Sequence, residues 1–407
     1  MTKLVLKYSI LLIVATLLAQ VAGHAGSIIY YIGILLVYFP LREKIVVYKT
    51  KPLLIPIFIA MIIGLFMKPY SLYDVFKDAF YLFSPIIMLM LGEILAKKMT
   101  PKSFLLMIVI VGSFFSLINC FGNLMTSGFQ IIIDPRSVRD GDNYYGDVNY
   151  FAMLSFFVLL YWKFFKKDQM PSNGNFLLFI NTLAIYFSGS RSYWLVLLII
   201  AFFLLYPFLK KRKGVFILII SLSITIVGAI TISGGRTAEL IKHSTEEMKV
   251  EDYTSVEDMN NNYRGYEAYM ALSEYSRYSP VNKIFGGGMG ATVDMGEYSP
   301  VGLQYLPVLH NGYPYLLIKM GIVGFIVFLL YFSILILRYR RWNTDIGDGN
   351  IHFWRTISYG SIISILVMHF SVNAIFNAEY NTSLIFVGFT LTHMAWQAKR
   401  KIQSKSR

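Results

Sequence analysis

The chain has 407 residues, of which 56% are hydrophobic and only 15% charged, with a mean hydropathy of +0.56. A soluble domain is about 25% charged, so the composition excludes an ordinary soluble protein and indicates an integral membrane protein. The net charge of +14 would suggest nucleic acid in a soluble chain, but its placement below is explained by topology, and the single cysteine, Cys120, excludes an intrachain disulfide or a cysteine-based metal site.

In chain order, apolar tracts long enough to cross a bilayer, or nearly so, lie at about 5–22, 26–40, 52–67, 79–95, 103–121, 149–165, 175–188, 192–209, 215–232, 313–337, 355–375 and 381–397. The expected fold is an all-α polytopic membrane protein of about twelve transmembrane helices with one large extracytoplasmic loop. Residues 1–25 have the outline of a signal peptide, with Lys3 and Lys7 before an apolar run. A first span needs no cleavage to insert, and this tract is read as span one.

Orientation follows from lysine and arginine. With the N-terminus inside, 25 of the 37 basic residues fall in cytoplasmic segments, including 41–51, 210–213, 338–341 and the tail 399–407. The bias predicts both termini in the cytoplasm, with attraction to anionic inner-leaflet lipid as a side effect. Four regions follow: N-terminal helices over 1–148, central helices over 149–232, an extracytoplasmic loop over 233–312, and C-terminal helices with a basic tail over 313–407. The loop holds six basic and eleven acidic residues, a net charge of −5. A cysteine placed at Ser244 is expected to react with an impermeant maleimide on intact cells, and one at Ser404 is not. The reverse labelling would overturn the orientation.

The outward segments contain the residues that suggest chemistry. Asp140-Gly141-Asp142 has the spacing of a metal-binding carboxylate pair, but it sits in a turn-rich run that reads as a solvated loop. Arg191 follows the turn Ser188-Gly189-Ser190 and precedes an apolar tract. An arginine there can snorkel to headgroup phosphate, or it can serve a site, and positive charge ordinarily prefers the inner side. Met259, Tyr263, Tyr266 and Met270 recur at helical spacing. Arg264 lies beside that stripe with Glu267 three residues on, so a helical ion pair is one reading of Arg264. Gly286-Gly287-Gly288-Met289-Gly290 lacks the following Lys-Ser/Thr of a phosphate loop and reads as a close-packed turn. His310 precedes Asn311 and Gly312 at the mouth of a span, where it can exchange a proton near neutral pH or cap the helix. His369 and His393 lie inside spans and suit interhelical hydrogen bonds.

Five stretches in order resemble the bacterial O-antigen ligase/polymerase family of Wzy-type membrane glycosyltransferases. They are Tyr145-Gly146-Asp147-Val148-Asn149-Tyr150-Phe151-Ala152, Ser188-Gly189-Ser190-Arg191-Ser192, Tyr263-Arg264 with Tyr269-Met270-Ala271-Leu272, Asn282 through Gly290, and His310-Asn311 with Gly321-Ile322-Val323-Gly324. Together they span roughly residues 140–335. The resemblance implies a GT-C-like enzyme of the cytoplasmic (inner) membrane, acting on its outer face on undecaprenyl diphosphate-linked oligosaccharides without metal, nucleotide or other cofactor. It implies that Arg191 and Arg264 grip the diphosphate and His310 serves the acceptor hydroxyl. Asn149, Asn311, Tyr263 and Lys319 are expected as further, substrate-binding residues. Lys319 departs from the family, which often has an acidic residue before the Gly-Ile-x-Gly element; inside a span it should meet a carboxylate, a carbonyl or the lipid phosphate.

Independently of the resemblance, two guanidiniums suit a diphosphate leaving group, and a neutral histidine suits a hydroxyl nucleophile. The reaction the resemblance implies is polymerisation, moving a growing glycan from its lipid carrier onto the next lipid-linked repeat unit. Ligation to another acceptor is the alternative within the family. A lipid-linked oligosaccharide flippase or transporter is the alternative from another class; it would line a central cavity with charges, whereas these spans carry few beyond Lys319 and Glu93. Partners expected are membrane lipid, a chain-length regulator and a flippase, with no nucleic acid.

Overall fold

The computed structural model describes residues 3–21, 50–68, 70–139, 150–211, 249–253, 255–296, 303–341 and 351–405. The described residues of the first half are mostly helical: α1 (Lys3–Val21), α2 (Lys51–Ile62, continued by a π-turn over Ile63–Met67), α3 (Leu72–Lys98), α4 (Pro101–Ser127), the short α5 (Gln130–Ile133) and α6 (Pro135–Arg139), α7 (Tyr150–Phe165), α8 (Gly174–Phe187) and α9 (Arg191–Lys211). Local chemistry sets several ends. The Ser71 hydroxyl accepts the Asp74 amide at 3.1 Å to start α3. Thr100 does the same for Ser103 at 3.3 Å, with Pro101 in the first turn of α4.

The second half comprises α10 (Val256–Asn261), α11 (Tyr263–Arg277), α12 (Pro280–Phe285), a hairpin of β1 (Val293–Asp294) and β2 (Tyr305–Leu306), then α13 (Gly312–Arg341), α14 (Ile351–Val372), α15 (Ala378–Asn381) and α16 (Ser383–Lys405). The strands pair antiparallel, Val293 with Leu306 and Asp294 with Tyr305.

Among the described residues, four helices are long and apolar enough to cross a membrane: Leu72–Lys98, Pro101–Ser127, Gly312–Arg341 and Ile351–Val372. Shorter apolar helices cover Lys51–Met67, Tyr150–Phe165, Gly174–Phe187 and Arg191–Tyr206. This is an all-α membrane protein. Of the twelve tracts expected to span, ten coincide with described helices, and 26–40 and 215–232 lie outside the described residues.

Small residues let the helices approach, as lipid-embedded packing requires. Gly92 of α3 faces the backbone of Ile385 and Phe389 on α16, and Gly388 of α16 faces Leu89 on α3. A Cβ at either position would stand 2.1 Å from a backbone oxygen. Gly112 of α4 admits the Phe151 carbonyl of α7 in the same way. Between α4 and α8 the buried Asn181 amide donates to Ser113 at 2.9 Å and its oxygen accepts from Ser116 at 3.0 Å. Such a polar link is satisfied within the bundle and costs no exposed polar group in lipid. Phe104, Trp354, Phe386 and Phe389 stack where α4, α14 and α16 meet, the Phe104 and Phe389 centroids 3.8 Å apart. Outward faces present Ile62, Leu198, Leu330 and Ile334, as lipid contact demands.

One expected element is divided. The stripe Met259, Tyr263, Tyr266 and Met270 reads as a single helix, but Asn262 leaves helical geometry (φ −121°, ψ 32°) and separates α10 from α11. The run Asn260-Asn261-Asn262 favours local side-chain hydrogen bonding over a continuous helix. Met259 therefore belongs to α10 and the other three to α11.

Candidate functional site

The segment that leads to His310 is anchored in a break of α13. Gly321 sits at φ 62°, ψ −167° inside that helix, which releases carbonyls of the preceding turn. The glycine loop takes them: the Gly287 amide donates to Ile318 O at 2.7 Å and the Gly288 amide to Lys319 O at 3.2 Å. Met289 donates to Ala60 O at 2.9 Å, beside the π-turn of α2. The loop fits because it lacks side chains. A Cβ on Gly286 (φ 84°) would lie 2.4 Å from the Lys319 backbone. The close-packed turn expected for this glycine run is what the structure contains. Around it, burial pushes the Tyr70 and Tyr278 phenols above their ordinary value; Glu274 adds to both, and Tyr70 adds to Tyr278. Both remain neutral near pH 7.

Lys319 completes the anchor. It is 1% exposed, and its ammonium meets the Asp78 carboxylate of α3 at 2.5 Å and the Ala291 carbonyl. Carboxylate and carbonyl are two of the three partners the sequence reading allowed. Asp78, itself fully buried, also accepts the Gly290 amide at 2.7 Å and the Tyr315 hydroxyl at 3.1 Å. A buried charge persists only when paired and hydrogen-bonded, and here the hydrogen bonds of Lys319 and Asp78 tie the loop to α3 and α13.

From the loop the hairpin carries the chain to His310, beside α11. Glu267 of α11 is buried, and its Oε2 accepts the His310 backbone amide at 2.9 Å and lies 3.1 Å from His310 Nδ1. With Nδ1–H donating to this carboxylate, Nε2 carries the lone pair. The His310 side chain is 48% exposed and lines an open cavity, so the imidazole can be reached from outside. Tyr263 packs edge-on against the imidazole, centroids 5.9 Å apart at 82°. A carboxylate that holds one nitrogen of a reachable imidazole is the arrangement of an oriented general base.

Glu267 is the residue whose role the sequence reading missed. Its i+3 spacing suggests a pair with Arg264, yet both hydrogen bonds of its Oε2 run to His310. The helix-cap reading of His310 passes to its neighbour, since Asn311 Oδ1 accepts the Tyr313 amide at 3.1 Å. Asn311 is buried at that cap.

Arg264 follows Tyr263 on α11, half-buried, and Arg191 is exposed as the first residue of α9. The turn before Arg191 is built by Ser188, which donates to Ile185 O at 2.7 Å and accepts the Ser190 amide at 3.3 Å. Two residues on, Tyr193 donates to Glu379 of α15. Glu379 in turn donates its amide to Asn377 at 2.9 Å. Asn377 and His310 line one open cavity of about 180 Å³. Through Glu379, the first turn of α9 is thus tied to Asn377 of that lining. Asn149, Asp147 and the Asp140/Asp142 pair lie outside the described residues. His369, expected to bond between helices, accepts the Ile375 amide at 3.3 Å just past the end of its own helix and packs edge-on against Tyr313 of α13 at 4.8 Å.

Residues 176–329 match the family model described as O-antigen ligase, Wzy_C. The matched segment contains the Ser-Gly-Ser-Arg turn, the Tyr263-Arg264 helix, the glycine loop, His310 and the helix break; the stretch 145–152 precedes it. Comparison with curated proteins finds no match.

Proposed function

With an O-antigen ligase domain over residues 176–329 as the premise, we propose that the protein is a polysaccharide polymerase. In this reading it transfers a growing glycan from undecaprenyl diphosphate to the next lipid-linked repeat unit, on the outer face of the cytoplasmic membrane. The observation that carries the reading is the His310–Glu267 pair, with Nδ1 held and the imidazole half exposed.

His310 Nε2 takes the proton of the acceptor hydroxyl. The hydroxyl oxygen forms a bond to the anomeric carbon of the donor. The bond from that carbon to the diphosphate oxygen breaks, and its electron pair leaves with the lipid diphosphate. The imidazolium formed is stabilised by Glu267, as a buried carboxylate stabilises a neighbouring cation. Arg191 and Arg264 hold the leaving diphosphate, because guanidinium offers paired donors in a fixed fork. The wider reading includes twelve spans, both termini inside and the 233–312 loop outside. Lys319 serves it as an anchor of the glycine loop. Ligation to a different acceptor uses the same donor steps and differs only in what presents the hydroxyl.

The test is reconstitution of the purified protein with lipid-diphosphate-linked repeat units. Polymer of increasing length supports the reading; single transfer to an added acceptor indicates ligation; no transfer to either overturns it. Arg191→Lys is expected to fail to restore chain growth although it keeps the charge, because an ammonium presents no planar fork. Normal chain length at wild-type expression would make Arg191 a snorkelling anchor.

A further inference from the structure

The peptide unit that joins Leu309 to His310 is held at both of its edges. Its amide is the His310 N–H, which donates to Glu267 at 2.9 Å. Its carbonyl is Leu309 O, which accepts from the side-chain amide of Asn373 at 3.2 Å. A peptide unit is planar and rigid. One edge is tied to α11 and the other to the turn between α14 and α15, so the plane cannot tilt without breaking one of the two bonds. The Cα of His310 lies at a corner of that plane. The contact of Glu267 with Nδ1 then sets the ring.

The same turn braces the chain just beyond His310. His369, which accepts the Ile375 amide of the turn, lies against Gly312, where a Cβ would stand 1.9 Å from the imidazole. Residues 309–312 thus run between α11 and the α14–α15 turn.

Asn373 holds its place at two costs to the fold. It is the one non-glycine residue with positive φ among those described, at 51°, a conformation that few L side chains adopt. Its backbone carbonyl accepts the Phe376 and Asn377 amides, both at 3.0 Å, which fixes that conformation. Its side chain is buried, and its Oδ1 has no hydrogen-bond partner among the described residues, although a buried acceptor left unpaired is destabilising. Glycine would meet the backbone demand without strain and would bury no unpaired oxygen. What the carboxamide supplies and glycine lacks is the donor to Leu309 O, since only its nitrogen can donate to a carbonyl. A conformational outlier kept where a simpler residue would fit is an argument for function.

We propose that Asn373 is a positioning residue for His310: it fixes the Leu309–His310 peptide so that the imidazole meets the acceptor hydroxyl in one orientation. The inference rests on the reading of His310 as the base. Asn373 acts through the backbone of its neighbour and touches no reacting atom.

The experiment compares wild type, Asn373→Gly, His310→Ala and the double variant in nanodiscs. Steady-state assays with lipid-diphosphate-linked repeat units read kcat and KM. Nitrogen NMR of histidine-labelled protein reads the tautomer of His310, whose signal is the one missing from His310→Ala. We expect Asn373→Gly to melt close to wild type and to lower kcat about 10- to 100-fold, the scale of a misplaced catalytic group, with KM changed little. Its His310 should show a mixture of tautomers where wild type shows the one protonated at Nδ1. The double variant should turn over no more slowly than His310→Ala, because without the imidazole there is nothing to position. Wild-type kcat in Asn373→Gly overturns the proposal, and so does a His310 tautomer unchanged from wild type. A further loss in the double variant overturns it as well, since Asn373 would then act independently of His310. A glycine variant that fails to fold has the same consequence, because Asn373 then serves the fold. Mixed tautomers in Asn373→Gly, in a protein that transfers no glycan from lipid diphosphate, support the positioning role and sink the polymerase reading instead.

Discussion

His310→Ala is expected to lower turnover by ~10²–10⁴-fold, the range for losing a general base, with donor binding nearly unchanged. The structure sharpens this expectation in two ways. First, the helix cap is made by Asn311 and not by His310, so loss of the imidazole should leave the start of α13 intact. A cap contributes only about 1 kcal/mol in any case. Second, Glu267 gives the test a partner. Glu267→Ala keeps the imidazole but removes what holds Nδ1 and the His310 amide. It should reduce kcat more than KM for the donor, and adding it to His310→Ala should cost little further, because the two residues act as one unit. Both proteins must elute and melt like wild type. An Ala variant that extends chains within a few-fold of the wild-type rate would remove His310 from the chemistry. Fully additive losses in the double variant would separate Glu267 from it.

The second large effect concerns stability. Lys319→Met leaves Asp78 without its counter-charge, and Asp78→Asn leaves Lys319 without one, each at a fully buried position. Breaking a buried pair from one side costs about 3–5 kcal/mol. We expect either single variant to lose yield and to melt well below wild type in detergent. The double variant Asp78→Asn/Lys319→Met should melt above both, because no uncompensated charge remains. The carboxamide introduced in place of the Asp78 carboxylate still offers an oxygen to the Gly290 amide or the Tyr315 hydroxyl. Strong non-additivity of this sign is what residues in direct contact show. Singles that melt with wild type would mean that the pair does not secure the glycine loop. The chemistry at His310 depends on this anchor only through the loop and hairpin, so a surviving folded fraction should keep much of its activity per molecule.

Much of this protein was legible from its residues alone, and the reason is that the signals involved are local. Long apolar tracts become helices because backbone polar groups in lipid must be satisfied within the segment. Ser188-Gly189-Ser190 before Arg191 reads as a turn because Gly189 takes positive φ (56°). The glycine run at 286–290 reads as a close approach because only glycine leaves room for another backbone. The order of short motifs named the family later matched over 176–329. What the residues could not show is which distant group each polar side chain meets. The i+3 rule assigns Glu267 to Arg264, but its Oε2 is taken by His310, 43 residues away. Lys319 could be placed inside a span, but its carboxylate lies 241 residues earlier, on α3. Asn373 carries no motif, and its amide bond to Leu309 O, 64 residues before it, exists only in the folded chain. Periodicity reports which face of a helix is apolar; it holds no information on which helix lies opposite. Tertiary packing makes that choice by burying these polar groups together, where nearly all of them must find a partner.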